Sequence, residues 1–148
     1  MAAEYRSTSV RVVIRREDQI LVEWLPEKSL AFLPGGRIEP GETLLTALER
    51  ELSEELSGIE LTIGRYLGSI GHIWKTSSGA DSCLNHFFEA KIVADCGAQA
   101  KELGRELRWI VLDSPDSAAL KPPSLFRLLH NKAPVTDWDC VDSELRDA

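Results

Sequence analysis

From the N-terminus, apolar and polar positions fall first into two short runs of β type. "SVRVVIRR" (9–16) and "QILVEWL" (19–25) are rich in β-branched and aliphatic residues. The polar "EDQ" separates them, which is the pattern of strand, turn and strand. "PEKS" (26–29) reads as a loop. "LAFLPGGRI" (30–38) is a short strand broken at Pro34-Gly35-Gly36, where the backbone needs dihedrals that few residues adopt. The period then changes. Thr43 is a good N-cap, and Leu44, Leu45, Leu48, Leu52 and Leu56 recur at the spacing of one buried stripe. This predicts a helix over 44–56 with Gly58 as its stop.

Further on the period returns to two. "IELTIGRYLGSIGHIW" (59–74) reads as one or two strands, "KTSSGAD" (75–81) as a turn and "SCLNHFFEAKIVA" (82–94) as the returning strand of an antiparallel hairpin. "DCGAQAKELGR" (95–105) reads as a loop or short helical turn, and "ELRWIVLD" (106–113) as the last strand. Pro122-Pro123 introduce a second helix in "SLFRLLHN" (124–131). The tail "APVTDWDCVDSELRDA" (133–148) is acidic and lacks clear periodicity. The expectation is one α+β domain over 1–148, a mixed sheet covered by helices, with 1–7 and 133–148 loose or peripheral.

Composition narrows the function. A chain of 148 residues suits one domain and can bury a substantial core. No apolar run approaches the ~20 residues of a membrane span, and the N-terminus lacks a basic-then-apolar signal pattern. Cys83, Cys96 and Cys140 are scattered and form no Cys-x-x-Cys pair. That argues against a disulfide framework or zinc site and for a reducing, cytoplasmic setting. The net charge of −7 disfavours a general nucleic-acid or membrane-surface binder. An anionic small molecule stays admissible, because a bound divalent cation inverts the local field.

One stretch carries chemistry: "LPGGRIEPGETLLTALERELSEELSG" (33–58). Glutamates crowd it from Glu39 to Glu55, and its positive residues are Arg37 and Arg50. At ~100° per residue, Glu51, Glu54 and Glu55 share a helix face that borders the leucine stripe. Three carboxylates there oppose one another's ionisation unless a cation intervenes. Arg50, four residues before Glu54, offsets only part of this. A hard divalent cation takes oxygen ligands, and magnesium favours sites shared with water and substrate phosphates. The glutamates and a carbonyl from the Gly35-Gly36 loop would form a partial cage for Mg²⁺ or Mn²⁺, placed to activate water and neutralise a phosphate leaving group. A merely solvated acidic face is the competing reading, and the glycine loop at a fixed distance ahead of the helix weighs against it.

These residues resemble the box of the Nudix hydrolase family. That box runs Gly, five residues, Glu, seven residues, Arg-Glu, an apolar residue, any residue, Glu-Glu, any residue, Gly, apolar. Here Gly36, Glu42 and Arg50-Glu51-Leu52-Ser53-Glu54-Glu55 meet the spacing without gaps. The end departs from it, with Ser57, Gly58 and Ile59 shifting the closing glycine by one position. The resemblance implies an α/β/α sandwich and divalent-metal-dependent hydrolysis of a diphosphate linkage in a nucleoside diphosphate derivative. By position it implies that Glu51, Glu54 and Glu55 hold metal or orient the attacking water. Arg50 would hold the glutamates by ion pairing, Gly36 would offer a carbonyl to metal, and Glu42 would support the loop–helix junction. The alternative on the same fold is a non-catalytic nucleotide-binding or regulatory module. Such modules usually lose box carboxylates, which this chain keeps. A homodimer is left open.

Family members often add a carboxylate from the loop before the last strand, a few residues ahead of a tryptophan. "KELGRELRW" offers Glu102 and Glu106 ahead of Trp109. Strand alternation sets Glu106 with Arg108 and Leu107 with Trp109, so Glu106 is expected to point outward. Glu102, in the looser segment, is the favoured accessory base or outer metal ligand. Substrate recognition is less legible: Trp24, Phe32, Trp74, Phe87 and Phe88 could stack on a base, but each reads better as core. Arg15, Arg16, Lys28 and Arg37 read better as surface charges than as phosphate ligands.

Overall fold

The computed structural model describes residues 5–130 and the backbone of 135–141. Its eight strands are β1 (Ser7–Arg16), β2 (Gln19–Leu25), β3 (Leu30–Phe32), β4 (Gly35–Arg37), β5 (Leu56–Thr76), β6 (Gly79–Ala100), β7 (Glu106–Val111) and β8 (Val135–Val141). Two α-helices, α1 (Leu44–Glu55) and α2 (Leu125–His130), and a 3₁₀ turn at Pro115–Ala119 complete them. The main sheet runs β3-β2-β1-β6-β5-β8, with β4 paired to β1 and β7 to β2. β1–β6 and β5–β8 are parallel and the other pairs antiparallel, so the sheet is mixed.

Alternation along β1 divides the core between the two faces. Val10, Val12 and Ile14 point to the face covered by Ala47 and Leu48 of α1. Val13 joins Ile70, Phe87 and the α2 residues Leu125, Leu128 and Leu129 on the other. The result is an α+β sandwich with a helix on each side of the sheet. Thr43 caps α1 as expected: its Oγ1 accepts from the Thr46 amide, and Thr46 Oγ1 accepts in return from the Thr43 amide. The stripe is shifted from the expected one. Ala47 is buried in it and Leu45 is 46% exposed, because the helix leans its Ala47–Leu48 side on β1.

Several elements differ from the sequence reading. Residues 95–100 are strand rather than loop or helical turn, since β6 continues to Ala100 and pairs with the start of β5 (Leu56↔Ala100, Ile59↔Asp95). Residues 59–74 belong to one strand that begins at Leu56, directly after the helix. The hairpin turn narrows to Ser77-Ser78. Gly58 does not end α1, because Leu56 is already extended (φ −116°, ψ 141°). Gly58 has φ +77° and sits at a register shift of the β5–β6 ladder, between Ser57 and Ile59. The tail supplies β8, aligned with Gly68–Trp74 of β5. The expectations for residues 1–4, 131–134 and 142–148 lie outside the described residues. Among the described residues no helix is long and apolar enough to cross a membrane.

Candidate active site

The site begins with two glycines that are needed for different reasons. Gly35 has φ +140°, and a Cβ there would collide with the Val10 carbonyl of the neighbouring strand. Gly36 has ordinary dihedrals, but its Cβ would fall on the Glu51 carboxylate. The loop therefore lies flat against β1, with Arg11↔Gly35, Val10↔Gly36 and Ser9↔Arg37 in register. The end of α1 can then close on it. The Gly35 amide donates to Glu55 Oε2 at 3.0 Å.

Arg50 organises the acidic ring. Its Nε and Nη2 donate to Glu42 Oε2 and Oε1 at 2.8 and 2.9 Å, a bidentate pair. Nη2 also reaches the Arg37 carbonyl at 3.0 Å, and Nη1 reaches Glu51 Oε1 at 3.1 Å and Glu54 Oε1 at 3.4 Å. The Arg50 hydrogen bond, helped by the Glu39 amide, holds the Glu42 carboxyl down to about 2. Glu42 in turn raises the Arg50 pKa. Glu42 thus fastens the loop to the helix through Arg50.

The three helix glutamates are not equivalent. Glu54 has a side chain 54% exposed and turns toward Arg50; it does not line the cavity. Glu51, 15% exposed, and Glu55, a buried residue, do line it, beside Gly35 and Gly36. Sequence reasoning missed a fourth carboxylate. Glu23 of β2 is buried close to Glu55 and is bound by Arg105 Nη1 at 2.8 Å. Burial first, and then the charge of Glu23, push the Glu55 carboxyl far up. One signal was available: a single glutamate inside the apolar run "QILVEWL".

The cavity measures about 350 Å³, large enough for a small-molecule ligand. Its charged lining residues are Arg11, Arg37, Glu51, Glu55, Glu102 and Arg105. Glu102 is paired to Arg105 at 3.2 Å, whereas Glu106 pairs with Arg108 on the exposed face and does not line the cavity. Of the aromatic candidates, Phe32 and Trp74 line the cavity and Phe87 is core. Phe88 and Trp24 pack beside the core clusters.

Among the described residues no three His, Cys, Asp or Glu side chains are gathered into a ready metal cage. The donors that do converge are oxygens on Glu51 and Glu55, beside a backbone stripped of side chains at Gly36. Two buried neighbouring carboxyls, Glu23 and Glu55, are costly to ionise together, and a cation beside them lowers that cost. This chemistry fits a hard divalent ion whose remaining positions go to water and phosphate.

The chain is similar to known proteins over most of its described length. A family model for the NUDIX domain matches residues 5–130. The CTP pyrophosphohydrolase of Escherichia coli is 44% identical over 64 residues, 40% of this chain and 47% of that protein. The low-salt glycan biosynthesis protein Agl8 of Haloferax volcanii is 42% identical over 79 residues, 50% of each chain. The chain spans about half the length of these curated relatives. Among solved structures, the MutT protein of Bacillus halodurans superposes with a TM-score of 0.72 at 19% identity, covering 93% of this chain and 92% of that one. The E. coli ORF135 protein superposes with a TM-score of 0.53 at 31% identity, covering 83% and 85%.

Proposed function

Because this chain belongs to the Nudix family, we propose that it is a hydrolase that uses Mg²⁺ or Mn²⁺ to cleave a diphosphate linkage in a nucleoside diphosphate derivative. The observation that carries this reading is the meeting of Glu51 and Glu55 with the Gly35-Gly36 loop at one cavity. Glu51, Glu55 and the Gly36 carbonyl would hold the metal, while Glu54, outside the cavity, would keep Arg50 in place. When bound, the ion supplies positive charge for the phosphates and polarises water.

The chain's own groups do the rest. Arg50 keeps Glu51 and Glu54 oriented and the loop closed on the helix. Arg37 and Arg105 stand at the cavity and would meet the phosphates. Glu102, half-exposed and steadied by Arg105, would accept the proton of the attacking water. Charge then leaves on the bridging oxygen, with no serine or cysteine nucleophile needed. The scattered cysteines support a cytoplasmic setting.

The likeness to a CTP pyrophosphohydrolase puts nucleoside triphosphates first among the candidates. The test is a panel of (d)NTPs, ADP-ribose, dinucleoside polyphosphates, nucleotide sugars and capped RNA with Mg²⁺, the products being identified by mass. Cleavage of a diphosphate bond in at least one member is expected; cleavage of none overturns the reading.

A further inference from the structure

On three neighbouring strands, one face of the sheet changes character, the change stepping one position along the register from each strand to the next. It goes from Val13 to Arg11 and Ser9 on β1, from Phe87 to Asn85 and Cys83 on β6, and from Ile70 to His72 and Trp74 on β5. The register brings these residues together: Ser9↔Asn85, Ile70↔Asn85 and His72↔Cys83. Val13, Phe87 and Ile70 are core. Ser9, Asn85 and His72 are also buried, yet polar, and with the Cys83 thiol they line the cavity.

A purely structural core would continue the apolar alternation here, because burying polar groups is costly unless they are well hydrogen-bonded. Ser9 and Cys83 pair closely, whereas Asn85 is held by long contacts. Ser9 Oγ lies 3.1 Å from Cys83 Sγ, the Cys83 thiol reaches Asn85 Oδ1 at 3.8 Å, and Asn85 Nδ2 donates to the Ile70 carbonyl at 3.4 Å. An amide has two donors and two acceptor lone pairs, so two long contacts leave most of its capacity unused. Aromatic surface flanks this floor: Phe32 lines the cavity, and His72 and Trp74 pack with centroids 5.0 Å apart. Arg11 stands beside it, with Nη1 committed to the Leu33 carbonyl at 2.7 Å. Apart from Arg11, which lies 5.7 Å over the Phe32 ring, the groups here are neutral donors and acceptors beside aromatic surface, which suits the edge and face of a flat heterocycle.

We propose that this polar floor seats the nucleobase of the substrate and that Asn85 selects it by its edge, the carboxylate side of the same cavity taking the diphosphate. This rests on the nucleotide reading above. It names a different set of residues from the metal side, so it can fail alone.

The test is equilibrium binding of AMP, GMP, CMP, UMP and ribose 5-phosphate with Mg²⁺, measured by calorimetry on wild type, Asn85→Asp and Ser9→Ala, with thermal unfolding recorded on each. Wild type should bind at least one nucleoside monophosphate about tenfold or more tighter than ribose 5-phosphate, the scale of a good two-point base contact. The near-isosteric Asn85→Asp should erase or invert that preference and leave ribose 5-phosphate unchanged; Ser9→Ala should weaken it severalfold. Two results overturn the inference: ribose 5-phosphate binding as tightly as all four monophosphates, or preference among bases unchanged in Asn85→Asp. Hydrolysis of the nucleotide panel by the same wild-type sample separates the two claims, since cleavage with unaltered base preference in Asn85→Asp sinks only the base subsite.

Discussion

Glu23 on β2 and Glu55 on the last turn of α1 are buried neighbours, and the charge of Glu23 disfavours ionisation of Glu55. Each is also held from its other side, Glu23 by Arg105 and Glu55 by the Gly35 amide. The pair therefore couples the helix, the glycine loop and the segment ahead of β7. Without metal, burial and Glu23 push the Glu55 carboxyl up from 4.5 to about 9.

The sign of the resulting pH dependence follows. A carboxyl whose pKa is raised on folding binds its proton more tightly in the native state, so stability falls as pH rises from about 4.5 toward 9. In chelator, the melting temperature should drop across that window. Glu55→Gln should flatten the drop, since glutamine has no proton to lose. Added Mg²⁺ should restore stability most at the alkaline end. Equal slopes for wild type and Glu55→Gln in chelator would contradict a protonated Glu55.

The two glycines should fail differently when replaced. Gly35→Ala forces a positive φ and a clash with the Val10 carbonyl, so it should destabilise by about 2 kcal/mol or more. Gly36→Ala meets only the Glu51 carboxylate, so the fold should survive while activity and metal affinity drop. Chemical denaturation and metal titration of the two variants decide this.

Glu102→Gln should lower turnover at saturating Mg²⁺ more than Glu106→Gln, because Glu102 lines the cavity and Glu106 pairs with Arg108 outside it. A turnover defect confined to Glu106→Gln, or none in either variant, would contradict that placement.

Local signals were the legible part of this fold. Thr43, the leucine spacing and Pro34-Gly35-Gly36 each act over a few residues, and they set α1 and the loop in the right places. The box glutamates were legible too, but not their different exposures, which depend on how α1 leans on β1. Glu23 and Arg105 lie 82 residues apart, and no local pattern links them. Residues 95–100 look like loop because "DCGAQA" lacks alternation; their strand form comes from pairing with β5. Gly58 shows the same limit: the glycine reads as a helix stop, but its positive φ serves a register shift of the β5–β6 ladder beside Gly97. A Cβ at Gly58 would strike the Gly97 carbonyl, so Gly58→Val should cost about 1 kcal/mol or more with metal affinity of the folded protein unchanged. An unchanged melting temperature with lost metal binding would reverse this reading.

The most direct test of the account is turnover of the best nucleotide by wild type, Glu51→Gln and Glu55→Gln, each with excess Mg²⁺ and with excess chelator. Wild type should be active only with Mg²⁺. Each variant should remain folded and lose about two orders of magnitude or more, the scale of a positioned acid–base or metal-holding group. Undiminished wild-type turnover in chelator, or full activity in both variants, would contradict it.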